Sequence, residues 1–145
     1  MTIPLPQVHQ GRDGATQLFK LLNELRRYAY RGPGVSICIS DEVISEFSCV
    51  TFDSTTGNLV LARADGTNYA TGVLVNSVNV GELAIVVTAG LVEGAVAGRV
   101  ANDPVWVGPD GTLVFAAPGV GNYVQPIAVC VNATDIYVHP EVPVI

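Results

Sequence analysis

The chain has 145 residues, a length that fits one domain with a hydrophobic core of its own. Hydrophobic residues make up 49% of it and charged residues only 14%, whereas an ordinary soluble domain carries roughly 25% charged residues. This composition leaves too little polar surface to cover a free monomer, so we predict a subunit interface. The longest uncharged apolar run, residues 83–92, has ten residues and is too short for a membrane-spanning helix.

The net charge of −6 is unevenly distributed along the chain. Among the first 31 residues, five basic side chains stand beside two acidic ones and give a net charge of +3. The rest of the chain holds two arginines and eleven acidic residues, a net charge of −9. An acidic body repels nucleic acid, so any contact with an acidic or phosphate-bearing partner is expected to come from the N-terminal segment.

Residues 1–34 are predicted to form an extended arm followed by one amphipathic helix. The arm, residues 1–12, contains a Pro-Leu-Pro motif and has neither the basic leader nor the apolar core of a signal peptide. The helix is expected from Asp13, a candidate cap, to about Tyr30, where the sequence RGPG ends it. Its apolar stripe consists of Ala15, Leu18, Phe19, Leu22, Leu25 and Ala29. We predict that the stripe is buried against the rest of the chain, residues 35–145, which we call the β-body, or against neighbouring copies of the chain.

Residues 35–145 are predicted to form a β-domain, a small sandwich or barrel, with an internal repeat. Alternating and β-branched segments are separated by turn residues about every 8–12 positions, as in small sandwiches and barrels. Residues 57–75 align with residues 111–129 without a gap, and Gly57 and Gly111 are expected to adopt positive φ angles in tight hairpins. The repeat extends over about 49–88 and 103–140, with about four strands in each copy. Neither half buries its edges alone, so we predict that the halves pack together.

The sequence offers few candidates for chemistry. His9 and His139 lie in terminal segments, outside any triad or metal-binding pattern. The SDEVISE segment, residues 40–46, carries three acids that we interpret as a solvated turn. A calcium site, formed with acids from later loops, is the alternative. We therefore predict no enzymatic activity, no cofactor and no metal.

Cysteine and aromatic residues are interpreted as core residues. The chain has three cysteines, Cys38, Cys49 and Cys130. Each lies in an apolar segment and is predicted to be a buried free thiol, and a disulfide between the first two is the alternative. Trp106 alternates with valines, and Tyr69 and Tyr123 occupy equivalent repeat positions, so we predict that all three belong to the core. A sugar-stacking platform is the alternative for these aromatic residues.

Three consecutive pieces of the sequence, GLVEG, PVWVGPDGTLVF and NYVQPIAVCVNATDIYVHP, together carry a resemblance. They resemble the β-rich domain that recurs in virion proteins of tailed phages, including capsid decoration (cement) proteins and head fibres. The resemblance covers about Gly81 to Pro140 and depends on turn residues and apolar alternation. Ala128 stands where the pattern usually has Gly.

The resemblance implies a non-enzymatic structural virion protein, bound to the outside of a phage head and made in the host cytoplasm. It implies a homo-oligomer, commonly a trimer, with the major capsid protein as partner and with no nucleic acid or membrane partner. Residues 1–31 are the expected shell-docking or trimer-forming part, with the candidates Arg12, Leu18, Leu22, Leu25, Arg26, Arg27 and Arg31. The alternative is a receptor- or carbohydrate-binding fibre or tail module, for which exposed tyrosines such as Tyr28, Tyr30 and Tyr123 would be the contacts.

Overall fold

The computed structural model of the chain describes residues 34–143. These residues form two antiparallel sheets of five strands each, which confirms the predicted mainly-β class. The strands are β1 (Val35–Ile39), β2 (Cys49–Phe52), β3 (Leu59–Leu61), β4 (Gly72–Leu74), β5 (Leu83–Val87), β6 (Gly90–Val92), β7 (Pro104–Val107), β8 (Leu113–Val114), β9 (Pro126–Cys130) and β10 (Ile136–Val138). The predicted N-terminal helix lies outside the described residues. Within residues 34–143 there is no helix of the length and apolar character that crossing a membrane requires.

The two sheets have the same strand order. Sheet 1 runs β1-β5-β4-β2-β3 and sheet 2 runs β6-β10-β9-β7-β8, so each strand of sheet 2 takes the place of the strand five earlier. The sequence repeat predicts this correspondence. The structural unit has five strands, however, rather than the predicted four, because β1 pairs with β5 and β6 pairs in the same way with β10.

Glycine closes the equivalent hairpins β2–β3 and β7–β8. Gly57 has a φ of 74° and Gly111 a φ of 84°, which confirms the predicted positive angles. The two sites differ in their surroundings, because a Cβ atom on Gly57 would meet open space. A Cβ atom on Gly111 would lie 2.6 Å from Cδ1 of Leu61 on β3. Only at the second hairpin, therefore, does the missing side chain also let the two repeats approach each other.

The inner faces of both sheets build one shared core. Val73 and Ile85 of sheet 1 belong to the same buried cluster as Ile127 and Val138 of sheet 2. Cys49 and Cys130 are buried in this cluster as free thiols, as predicted, and burial raises the pKa of Cys49 to about 12. Cys38 on β1 is also free, so the alternative disulfide is wrong. This thiol is only half-buried, however, so the prediction of burial is wrong for Cys38.

Gln125 connects the two repeats through the core. Its side chain is 2% exposed, and its Oε1 atom accepts a hydrogen bond from the Ala70 amide at 2.8 Å. Its Nε2 atom donates to the carbonyl oxygen of Ala70 at 2.8 Å and to that of Glu141 at 3.1 Å. The side-chain amide of Gln125 thereby provides hydrogen-bond partners for both the N–H and the C=O group of the buried Ala70, as a neighbouring strand would.

The equivalent tyrosines Tyr69 and Tyr123 meet where the repeats join. Their rings pack edge to face, with centroids 5.0 Å apart and an interplanar angle of 87°. Tyr123 is 5% exposed and donates its hydroxyl hydrogen to the carbonyl oxygen of Asn68 at 2.8 Å. Tyr69 is 39% exposed. The prediction of a core position is therefore right for Tyr123 and wrong for Tyr69, because only the Tyr123 ring inserts between the repeats.

Candidate interaction site

The docking candidates predicted from the sequence precede the described part of the chain. Arg12, Leu18, Leu22, Leu25, Arg26, Arg27 and Arg31 all lie outside residues 34–143. Their role in docking or in oligomer formation stays a prediction. The structure shows Gly34, the residue at which their segment joins the β-body, and the surfaces near Gly34.

Gly34 fixes the point at which the N-terminal segment reaches the β-body. Its carbonyl oxygen accepts hydrogen bonds from the Thr88 amide at 2.6 Å and from the Ala89 amide at 3.3 Å. The packing is close, since a Cβ atom on Gly34 would lie 2.4 Å from the Ala89 carbonyl oxygen. Ala89 directly precedes β6, so Gly34, the first described residue, lies beside the start of an edge strand of sheet 2.

The side of sheet 2 turned away from the shared core carries a continuous row of uncharged side chains. Strand pairing places Leu91, Tyr137 and Val129 side by side across β6, β10 and β9. Pro104 pairs with Val129 on the same face, and the pairing of Trp106 with Val114 continues the face to β8. We call these residues the outer face of sheet 2: Leu91, Pro104, Trp106, Val114, Val129 and Tyr137.

This outer face is only partly covered by the described residues: Pro104 and Tyr137 are exposed, and its other four members are half-buried. Tyr137 is 46% exposed, and Trp106 is half-buried. The prediction that Trp106 is a core residue is therefore wrong, because Val105 and Val107 turn into the core and the residue between them faces outward. A sheet that meets water on one side ordinarily carries polar residues there. An uncharged aromatic and aliphatic face instead indicates contact with another apolar surface.

The equivalent outer face of sheet 1 is covered by other residues of the chain. There Val50, Leu74 and Val86 are buried, and the connection between β1 and β2, residues 40–48, lies over them. Ile44 in this connection is 3% exposed and exchanges backbone hydrogen bonds with Val78. Sheet 1 is consequently buried on both faces.

The corresponding connection in sheet 2, residues 93–103, takes another path. The amides of Val96 and Arg99 donate to the carbonyl oxygens of Thr134 and Ala133 in the β9–β10 turn. Val96 packs against the shared core instead of the outer face. Within residues 34–143, equivalent loops of the two repeats therefore leave one outer face buried and the other partly exposed.

Both arginines of the body are engaged by neighbouring acids. Arg63 forms an ion pair with Asp65 at 2.9 Å, and Arg99 lies 3.4 Å from Asp103 while its guanidinium group stacks on Phe115 at 4.0 Å. The acidic side chains of residues 34–143 exceed the basic ones by nine, so the body presents a negative field to its surroundings.

The acids considered for a calcium site have structural partners instead. Asp41 accepts hydrogen bonds from the side chains of Thr56 and Asn58, at 3.0 Å and 2.9 Å. Asp53 accepts backbone hydrogen bonds in the β2–β3 turn, and these bonds hold the pKa of its carboxyl group below the usual value. Residues 34–143 contain no group of three or more potential metal ligands. His139 lies 3.7 Å from a carboxylate oxygen of Glu141 and tilts over the Tyr137 ring.

Comparison with known proteins identifies no relative: no protein-family model matches the chain, and no curated protein matches its sequence.

Proposed function

We propose that the chain is a non-enzymatic structural protein of a phage virion that binds to the outside of the head as a decoration protein. One observation carries the proposal. The pieces that resemble phage virion domains form all of sheet 2: GLVEG supplies β6, PVWVGPDGTLVF supplies β7 and β8, and the last piece supplies β9 and β10. The three pieces therefore include every strand of one sheet, and the whole range of the resemblance, about Gly81 to Pro140, adds only β5 of sheet 1.

The second argument is electrostatic. The body has a net charge of −9, and its two arginines are engaged by acids, so the cationic groups available to an acidic partner are those of residues 1–31. We propose that this segment contacts the major capsid protein and that three copies associate on the shell. Attraction of this kind weakens as salt shortens the Debye length, which is about 10 Å at 0.1 M.

Co-sedimentation with heads of the phage that encodes the chain tests the proposal. The intact protein is expected to sediment with the heads at low salt and to dissociate progressively as salt is added. Deletion of residues 1–12, or the double change Arg26→Glu and Arg27→Glu, is expected to abolish binding and to leave the circular-dichroism melt of the β-body unchanged. The matched control is Arg63→Glu, a charge reversal in the body that is expected to sediment as the intact protein does.

Two outcomes contradict parts of this proposal. If the intact protein does not sediment with heads under any salt condition, decoration of the head is wrong. If the charge-reversed and truncated proteins bind as well as the intact protein, attachment depends on the apolar surface of the β-body and not on residues 1–31.

A glycan-binding fibre or tail module is the second candidate, favoured by the aromatic surface that Tyr137 and Trp106 expose on one face. Aromatic rings on a sheet face provide stacking surfaces for sugars. Tyr123, one of the contacts considered in the sequence, is buried and does not serve this function. Binding to host surface polysaccharide that is lost in Tyr137→Ala and retained in Tyr69→Ala would favour this candidate.

A further inference from the structure

We propose that the apolar stripe of residues 13–30 packs on the outer face of sheet 2 of the same chain. This inference concerns the covering of the β-body and does not depend on the proposed function. The outer face is partly exposed within residues 34–143, whereas its counterpart on sheet 1 is buried under residues 40–48. Residues 34–143 therefore leave one apolar face partly exposed, and the sequence before them contains one predicted apolar stripe.

The point of attachment favours this face. The carbonyl oxygen of Gly34 is hydrogen-bonded to the amide of Ala89, which lies two residues before Leu91, the first member of the outer face on edge strand β6. Only residues 31–33 separate the predicted helix from Gly34, and three extended residues span about 10 Å. The C-terminal end of the stripe is therefore within reach of the edge of sheet 2 at which the face begins.

The dimensions also agree. The predicted helix has about 17 residues after its cap Asp13 and would be about 26 Å long at 1.5 Å per residue. The outer face extends over five strands, and four spacings of about 4.8 Å give a width of about 19 Å. A single helix that starts from the β6 edge is long enough to cross the face as far as Trp106 and Val114.

The helical periodicity places the apolar and the basic side chains of this segment on opposite sides of the predicted helix. Leu18, Leu22 and Leu25 lie on the stripe, whereas Lys20 and Arg27 lie on the opposite side of a helix with 3.6 residues per turn. If the stripe packs on the outer face, the positively charged side of the predicted helix is turned toward solvent. The six residues of the outer face carry no charge, and His139, which is 3.7 Å from Glu141, borders the face at the ring of Tyr137.

Trp106 makes the inference directly measurable, because it is the only tryptophan of the chain and belongs to the outer face. The test compares tryptophan emission and acrylamide quenching in the full-length protein and in the triple variant Leu18→Ser, Leu22→Ser and Leu25→Ser. A shift of the emission to longer wavelength and a higher quenching constant are expected in the variant, with the β-sheet circular dichroism retained. The matched control, with Lys20→Ser and Arg27→Ser on the opposite side, is expected to leave both signals unchanged.

Dilution of the full-length protein distinguishes cover of the outer face by the same chain from cover by a second copy. The emission and quenching are expected to stay constant when the protein is diluted to a concentration at which light scattering gives the monomer mass. If the full-length protein and the triple variant have the same emission and quenching, the stripe does not cover the face and the inference is wrong. It is also wrong if dilution to monomer gives the full-length protein the signals of the variant, because the cover is then another copy.

A milder variant keeps the test decisive if the triple variant loses its sheet signal. Leu22→Ala removes part of the stripe without introducing a polar group, and a smaller shift in the same direction is expected. An unchanged quenching constant in Leu22→Ala, with the triple variant unfolded, would overturn the inference.

Discussion

Replacing Gln125 by Leu tests whether the two repeats depend on one buried amide group. Leu has a similar volume but no hydrogen-bonding atoms, so the amide and the carbonyl of Ala70 lose their partner while both remain buried. The carbonyl of Glu141, the third partner, lies in an exposed residue and is free to bind water instead.

The expected cost follows from these two backbone groups. Each buried polar group left without a partner costs about 1–3 kcal/mol, so the variant is expected to lose about 2–6 kcal/mol of unfolding free energy. A domain of this size has a total of about 5–15 kcal/mol, so the loss is readily measured.

Urea unfolding followed by circular dichroism measures the loss as a lower midpoint at unchanged slope. The matched control is Thr71→Ala at the equivalent position of the first repeat, where the exposed side chain makes only a 3.4 Å contact with a carbonyl oxygen. This change is expected to stay within about 0.5 kcal/mol. A loss of less than about 1 kcal/mol in Gln125→Leu would refute the conclusion that this amide group connects the repeats.

Three further predictions concern the core and the joint between repeats. Gly57→Ala is expected to cost about 1–2 kcal/mol for its positive φ alone, and Gly111→Ala about 1–3 kcal/mol more because its Cβ atom would meet a leucine side chain of β3; equal losses in urea unfolding would contradict the difference in packing. Tyr123→Phe is expected to cost about 1 kcal/mol through the lost hydroxyl bond, and a loss no larger than that of Tyr69→Phe would argue against that bond. Because burial raises the pKa of Cys49 from 9.0 to about 12, the unfolded chain releases this proton first and stability is expected to fall above pH 9; an identical alkaline decline in Cys49→Ala would show that another group is responsible.

The strands are predictable from the sequence because turn residues and alternation mark each of them. The first repeat is predicted to begin at about residue 49, where β2 begins in the structure, and Gly57 and Gly111 close the hairpins where expected. The fifth strand of each copy is not apparent from sequence identity, since VSICI of β1 and GLV of β6 have no residue in common when they are aligned by their pairing. Only the hydrogen-bonded register shows that they are equivalent.

The candidate site is less predictable from the sequence. Alternation of residues assigns side chains to the two faces of a strand, but it does not show which face is turned to the core. Val105 and Val107 alternate with Trp106, and either set could face the core. The paths of residues 40–48 and 93–103 decide which outer face is covered, and those paths depend on long-range backbone hydrogen bonds. The location of an apolar face therefore requires the fold, and the subunit interface that the composition predicts stays a prediction.

An electron cryo-microscopy map of phage heads incubated with the full-length protein tests the proposed function most directly. The proposal predicts additional density on the outer surface of the shell, in groups of three, that accommodates the two five-stranded sheets and contacts the capsid through residues 1–31. Heads without added density, in a preparation where the protein binds to tail fibres or remains free in solution, would contradict it.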